Sequence, residues 1–132
     1  MEMTVARRGS ADPRDVWRHY LWLPLWTEWA PHLTRVDADS PVLSPGATGT
    51  VTAAGVLPVH FRILAVDPAR RSWSWRVGVG PVRLLLEHDV APASDGGTRA
   101  SIRIHGPALV LTAYRPLMGW ALSRLVHVSG GR

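Results

Sequence analysis

The chain contains no cysteine, so neither disulfides nor thiolate chemistry belong to its function. Lysine, asparagine and glutamine are absent too, and all fifteen cationic side chains are arginine. With the abundant Ala, Val, Gly and Pro, that bias reads as the codon usage of a high-GC bacterial genome. It makes the pI of 11.2 a weak guide to function. The net charge of +5 is spread along the chain, with no arginine run longer than two. The motifs of the usual nucleic-acid readers are missing, so no nucleic-acid partner is expected. No long uncharged apolar run exists either. The nearest, from Ala108 to Val128, is broken by Arg115, Pro116 and Arg124, which argues against membrane insertion. The opening MEMTVARRGS has no apolar signal-peptide core, and a cytoplasmic location is the expectation.

Several chemistries are excluded in the same way. The six histidines show neither H-x-H nor H-E-x-x-H spacing, and no carboxylate cluster accompanies them, so no metal is expected. Gly78-Val79-Gly80-Pro81 lacks the third glycine and the following helix of a dinucleotide loop. There is no G-x-S-x-G elbow. No cofactor is expected.

What is present is a domain-sized chain of 132 residues, 46% hydrophobic, long enough for one real core. Met3 to Arg8 reads as a first strand. Asp12-Pro13-Arg14-Asp15 opens a helix with a capping acid, proline at the first position and a second acid near the positive end. Val16 with Tyr20 and Trp17 with Leu21 give it an apolar face. Pro24 ends that helix, and a second short turn from Leu25 to Trp29 closes at Pro31. Strands then follow at turn-bounded intervals: Leu33 to Asp39, Thr48 to Ala54, Val59 to Val66, Ser72 to Val79, Val82 to Val90 and Thr98 to His105. Such spacing describes an antiparallel meander.

Alternation assigns the faces. Leu84, Leu86, His88 and Val90 share one side, as do Ala100, Ile102 and Ile104, and Trp73, Trp75 and Val77. Phe61 faces the same way between His60 and Arg62. The opposite side carries charge, including Arg83, Arg103 and His105. A sheet apolar on one face needs a cover, and the remaining segment, from Pro107 to about Val128, supplies a helix. Val110, Tyr114, Leu117, Met118, Ala121, Leu125 and Val128 lie on its apolar flank. Thr112, Arg115, Pro116, Gly119, Ser123 and His127 lie opposite. Pro116 should kink it, and Gly130-Gly131 should end it. The fold class is therefore α+β. A curved antiparallel sheet of six to seven strands wraps a long C-terminal helix, with two short helices after strand 1.

This order resembles the START-like (Bet v 1-like, SRPBCC) superfamily, in its polyketide cyclase/dehydrase branch. The similarity is carried by Asp12-Pro13-Arg14-Asp15-Val16-Trp17 and by Trp26-Thr27-Glu28-Trp29-Ala30-Pro31. Pro45-Gly46-Ala47-Thr48-Gly49 and Val66-Asp67-Pro68-Ala69-Arg70-Arg71 before Trp73 and Trp75 extend it. So does Glu87-His88 before Asp95-Gly96-Gly97-Thr98-Arg99. The resemblance implies a helix-grip fold in a single domain and an internal cavity for lipids, sterols, polyketides or hormones. For some members it implies cyclisation or dehydration of a bound polyketide, and in aromatase/cyclases an interior arginine. If the strand faces were reversed, Arg62 or Arg83 would be that arginine.

The expected site is a hollow lined by indole rings. Its candidate ligand contacts are Trp26, Trp29, His32, Phe61, Trp73, Trp75, Leu86, Tyr114, Leu117 and Met118. Packing of the short helices onto the sheet is the other reading of Trp17, Trp26 and Trp29, and the favoured one for Trp17. For Trp73 and Trp75 lining and core packing stand level, while Trp22 belongs near the surface and Trp120 at the edge of the apolar face. His88 is the one titratable group on an apolar strand face. It is either a general acid or base, or a core histidine bonded to backbone or to Tyr114. Tyr114, projecting from the long helix, would polarise a ligand carbonyl. These two are the candidate catalytic residues. The expected partner is a hydrophobic small molecule, with the protein a monomer or homodimer. A non-catalytic carrier with the same pocket is the alternative to a cyclase.

Overall fold

Asp12 accepts a hydrogen bond from the Arg14 backbone N–H at 2.8 Å, and Pro13 fills the first position of α1 (Pro13–Leu21). Capping acid and proline thus start the helix where the local sequence places them. In the computed structural model, which describes residues 1–128, β1 (Glu2–Gly9) precedes α1. Pro24 lies inside a 3-10 turn, Leu23–Leu25, which leads into the one-turn α2, Trp26–Trp29. The single short turn expected from Leu25 is therefore two pieces.

Six strands follow: β2 (Leu33–Ala38), β3 (Thr48–Ala53), β4 (Leu57–Asp67), β5 (Ser72–Val79), β6 (Val82–Pro92) and β7 (Thr98–His105). They form one antiparallel sheet with β1, in the order β1-β7-β6-β5-β4-β3-β2. Only the β1–β7 pairing departs from chain order. A register shift between Ile63 and Ala65 of β4 is the kind of irregularity that bends a strand. The faces follow the alternation. Trp73, Val77, Leu84, Leu86, His88, Val90, Ala100, Ile102 and Ile104 are buried on the concave side, with Trp75 half-buried beside them.

The last helix, α3, runs Ala108–Leu125 with Pro107 as its N-cap. It is shorter than the expected segment at both ends, and the Gly130-Gly131 stop lies outside the described residues. Pro116 lacks the N–H that would reach the Thr112 carbonyl one turn back. The helix sits closest to one margin of the sheet. Its close backbone approaches are to β1, β7 and α2. Gly119, placed by the sequence pattern on the polar flank, is buried because the Arg7 guanidinium lies against it. Leu111, Leu122 and Leu125 are fully buried, and the first two were not on the expected apolar flank. The helix is rotated toward β1. That rotation leaves Val110, Tyr114 and Leu117 half-buried on its other side.

Leu122→Ala should therefore cost about 3 kcal/mol, the usual range for a leucine lost from a rigid core. Urea unfolding followed by circular dichroism measures it. A loss under about 1 kcal/mol would mean that Leu122 does not seat α3 in a rigid core.

Candidate functional site

Two indole N–H groups fix the short helices to each other. Trp26 Nε1 donates to the Tyr20 carbonyl at 2.9 Å, and Trp29 Nε1 to the His19 carbonyl at 3.1 Å. So anchored, Trp26 projects onto β5. Its ring stacks on Trp73 (centroids 5.7 Å apart, planes at 25°) and meets Trp75 edge-on at 5.1 Å. Phe61 packs behind, 5.1 Å from Trp75. His88 lies flat on Trp73, with centroids 3.8 Å apart and planes at 4°. Tyr20 meets Trp29, Trp73 and His88 edge to face.

The middle of the concavity is thereby filled. What remains is a chamber of ≈ 50 Å³, lined among others by Trp26, Trp29, His32, Trp73, Trp75, Leu86, His88, Tyr114 and Met118. That is room for water, not for a polycyclic guest. The indoles expected to line a hollow do line this chamber, and their mutual packing leaves it small. The reason is the position of α3. With the helix over the β1–β7 margin, aromatic side chains from α2 and β5 must cover the rest of the sheet.

The open apolar volume lies beside this plug. A groove of ≈ 650 Å³ runs between the N-terminal half of α3 and the ends of β3 to β6. Leu57, Val59, Val77, Val79, Val82 and Leu84 form its sheet wall; Leu109, Val110, Ala113, Tyr114 and Leu117 form its helix wall. Its size is that of a small-molecule site. His32, Val59, Val77 and Tyr114 line both groove and chamber, and so mark the seam between them.

The titratable groups here are held neutral. Burial pushes the His88 pKa down to about 3, opposed in part by its bond to the Trp73 carbonyl. That contact, Nδ1 to oxygen at 3.2 Å, requires Nδ1 to carry the proton and leaves Nε2 with a lone pair. Burial also lowers the His32 pKa and raises those of Tyr114 and Tyr20. His32 and Tyr114 meet edge to face, centroids 6.4 Å apart. The Tyr20 hydroxyl, His32 Nδ1 and the indole nitrogens of Trp73 and Trp75 are buried without a hydrogen-bond partner, an arrangement that costs free energy at each group.

The structure thus brings Trp26, Trp29, His32, Trp73, Trp75, Leu86, His88, Tyr114 and Met118 to the chamber, and Leu117 with His32 and Tyr114 to the groove. Phe61 lines neither. No hydrogen bond joins His88 to Tyr114 among the described residues; His88 bonds to the Trp73 carbonyl. Arg62 and Arg83 are exposed on the convex side, so neither is an interior arginine. Trp22 and Trp120 are exposed, while Trp17 packs in the core. Sequence reasoning missed Tyr20 as part of the aromatic cluster, and it missed the aliphatic groove wall. The wall residues sit where strands pass into hairpins, which alternation alone does not distinguish from ordinary core. Among the described residues, no three His, Asp or Glu side chains are grouped to hold a metal. No helix among them is long and apolar enough to cross a membrane.

With a helix-grip fold and an apolar cleft in hand, comparison with known proteins is direct. The sequence profile of polyketide cyclase / dehydrase and lipid transport proteins matches residues 1–127. The chain belongs to that family. No curated protein matches it. Among solved structures it is similar to the di-domain ARO/CYC BexL from the BE-7585A biosynthetic pathway (TM-score 0.80, 18% identity), covering 96% of this chain and 45% of that one. It is also similar to Ara h 8.0201 (TM-score 0.75, 15% identity, 95% and 94% covered). A third is a protein from Mesorhizobium loti (TM-score 0.79, 18% identity, 95% and 93% covered). At these identities the shared property is the fold.

For this member of the cyclase/dehydrase and lipid transport family, the state of His88 has a pH signature. Its folded pKa of about 3 lies below the unfolded value of about 6.5. Between those values the unfolded chain binds a proton that the folded chain refuses, so stability falls as pH drops. The slope from this group is at most about 1.4 kcal/mol per pH unit. His88→Phe, which keeps a flat ring on Trp73, should lose less stability than the parent between about pH 7 and pH 4.5. Urea midpoints at the two pH values test this, and equal losses would place His88 in contact with water.

Proposed function

We propose that this chain takes up an apolar polyketide-like or polycyclic molecule in the groove beside α3 and promotes its cyclisation or dehydration by holding it folded. The observation that carries the reading is the groove: ≈ 650 Å³ walled by aliphatic side chains, with hydrogen-bonding side chains only at its seam with the aromatic plug. The family match and the fold shared with BexL support it. Apolar walls hold the ligand's carbon skeleton, and the Tyr114 hydroxyl donates to one of its carbonyl oxygens. His88 stays neutral at the chamber floor and offers Nε2 as an acceptor. Rate enhancement then comes mainly from positioning, with Tyr114 polarising the reacting carbonyl.

A second reading is a non-catalytic carrier of lipid or another hydrophobic ligand. The weak basicity of His88 and its separation from Tyr114 favour it, because general acid–base chemistry wants groups that titrate near the working pH.

Titration with a neutral apolar dye and a linear poly-β-ketone analogue separates these. Leu117→Trp, which fills the groove, should weaken dye binding about tenfold or more, equivalent to about 1.4 kcal/mol. Unchanged affinity would remove the groove as the binding site. Tyr114→Phe should keep dye affinity while slowing conversion of the analogue by about tenfold to a hundredfold. Absence of product with the parent protein would leave the carrier reading standing.

A further inference from the structure

The rim of the groove carries aliphatic side chains that cover nothing. Val56 and Leu57, at the β3–β4 hairpin, are 82% and 45% exposed, and Leu109, in the first turn of α3, is 87% exposed. Leu57 and Leu109 line the same groove as the facing ends of β5 and β6. These loops therefore surround one opening. Exposed aliphatic tips around a ligand opening mark a surface that meets something apolar.

Beside that opening, on the convex side, His60, Arg62, Arg76 and Arg83 border a shallow depression. Arg62 and Arg76 are cross-strand partners, like charges placed opposite each other at a cost in stability. None of these three arginines is within ion-pair distance of a carboxylate among the described residues, whereas Arg8, Arg14, Arg35, Arg70 and Arg103 each are. Arg83 is held against the β5–β6 hairpin, where its Nη1 donates to the carbonyls of Gly80 and Val82 at 2.6 and 3.2 Å. Unpaired cations thus stand next to unpaired aliphatics.

We propose that this end of the protein docks on an anionic lipid bilayer. Val56, Leu57 and Leu109 enter the headgroup layer while Arg76 and Arg83 meet phospholipid phosphates, and the groove opens against the membrane. The combination is that of an interfacial anchor, in which apolar insertion and anionic attraction add. The inference rests on the groove being the ligand site, and it makes the bilayer the place where the ligand enters or leaves without crossing water.

Co-sedimentation of the full chain with vesicles tests it. Binding is expected to vesicles with about 30% phosphatidylglycerol in phosphatidylcholine, and not to phosphatidylcholine alone. It should be released by about 0.5 M sodium chloride. Arg76→Ser with Arg83→Ser should weaken it by about fivefold per arginine. Val56→Asp with Leu109→Asp should also weaken it; the arginine pair and Val56→Asp alone, which lie outside the groove wall, should leave dye binding in solution intact. No binding to anionic vesicles, or equal binding by the aspartate pair, overturns the proposal even where dye binding is normal. So does a result in which the aspartate pair only dissociates a dimer in sedimentation, since the rim would then face a second copy. Failure of the ligand reading appears separately, as loss of any effect of Leu117→Trp on the dye.

Discussion

The seating of α3 depends on a seam where side chains are missing. Gly9 ends β1 so close to the C-terminal end of the helix that a Cβ there would run into the Val126 carbonyl. That carbonyl accepts from the Ala11 N–H at 2.9 Å. Gly97, just before β7, approaches the Gly9 carbonyl just as closely, and the Thr98 hydroxyl closes the corner by donating to the Ala11 carbonyl at 2.6 Å. Further along, Gly119 accepts the Arg7 side chain. Backbone contact at these points draws the helix to the β1–β7 margin, and its position decides what fills the remainder of the sheet.

The remainder is filled by rings. Trp26, Trp73, Trp75, Phe61, His88 and Tyr20 contact one another in stacked and edge-to-face pairs. Each such pair is worth about 0.5–1.5 kcal/mol beyond the area it buries. Against this stand the unpartnered Tyr20 hydroxyl and two indole N–H groups, each costing about 1–3 kcal/mol. The two sums are of similar size. The plug gains most of its stability from burial of apolar surface, and its polar atoms are tolerated within it.

The same geometry separates the buried histidine from the open groove. Neutral, weakly basic His88 sits at the bottom of the plug, while Tyr114 and His32 stand at the boundary with the groove. The groove wall is therefore mostly aliphatic, with hydrogen-bonding side chains confined to one end. A site of this kind recognises shape and hydrophobicity first and orients by a single polar group. Such recognition fits a family whose description spans cyclases, dehydrases and lipid transport.

Much of the fold was legible along the chain. Asp12-Pro13 starts α1, Ser72 to Val79 and Thr98 to His105 are strands to the residue, and alternation places His88 inward and Arg62 and Arg83 outward. Each of these rests on local chemistry: a cap, a fixed proline torsion, a period of two. The candidate site was legible only as a set of inward-facing residues. Whether indoles line a cavity or fill it, and where a groove opens, depends on the lateral position and rotation of α3. Contacts between Gly9 and Val126, and between Arg7 and Gly119, set both, and they join residues more than a hundred positions apart. Along the strands the chain alone determined which side chains face inward; the packing of distant segments decided which face α3 buries and how much room was left.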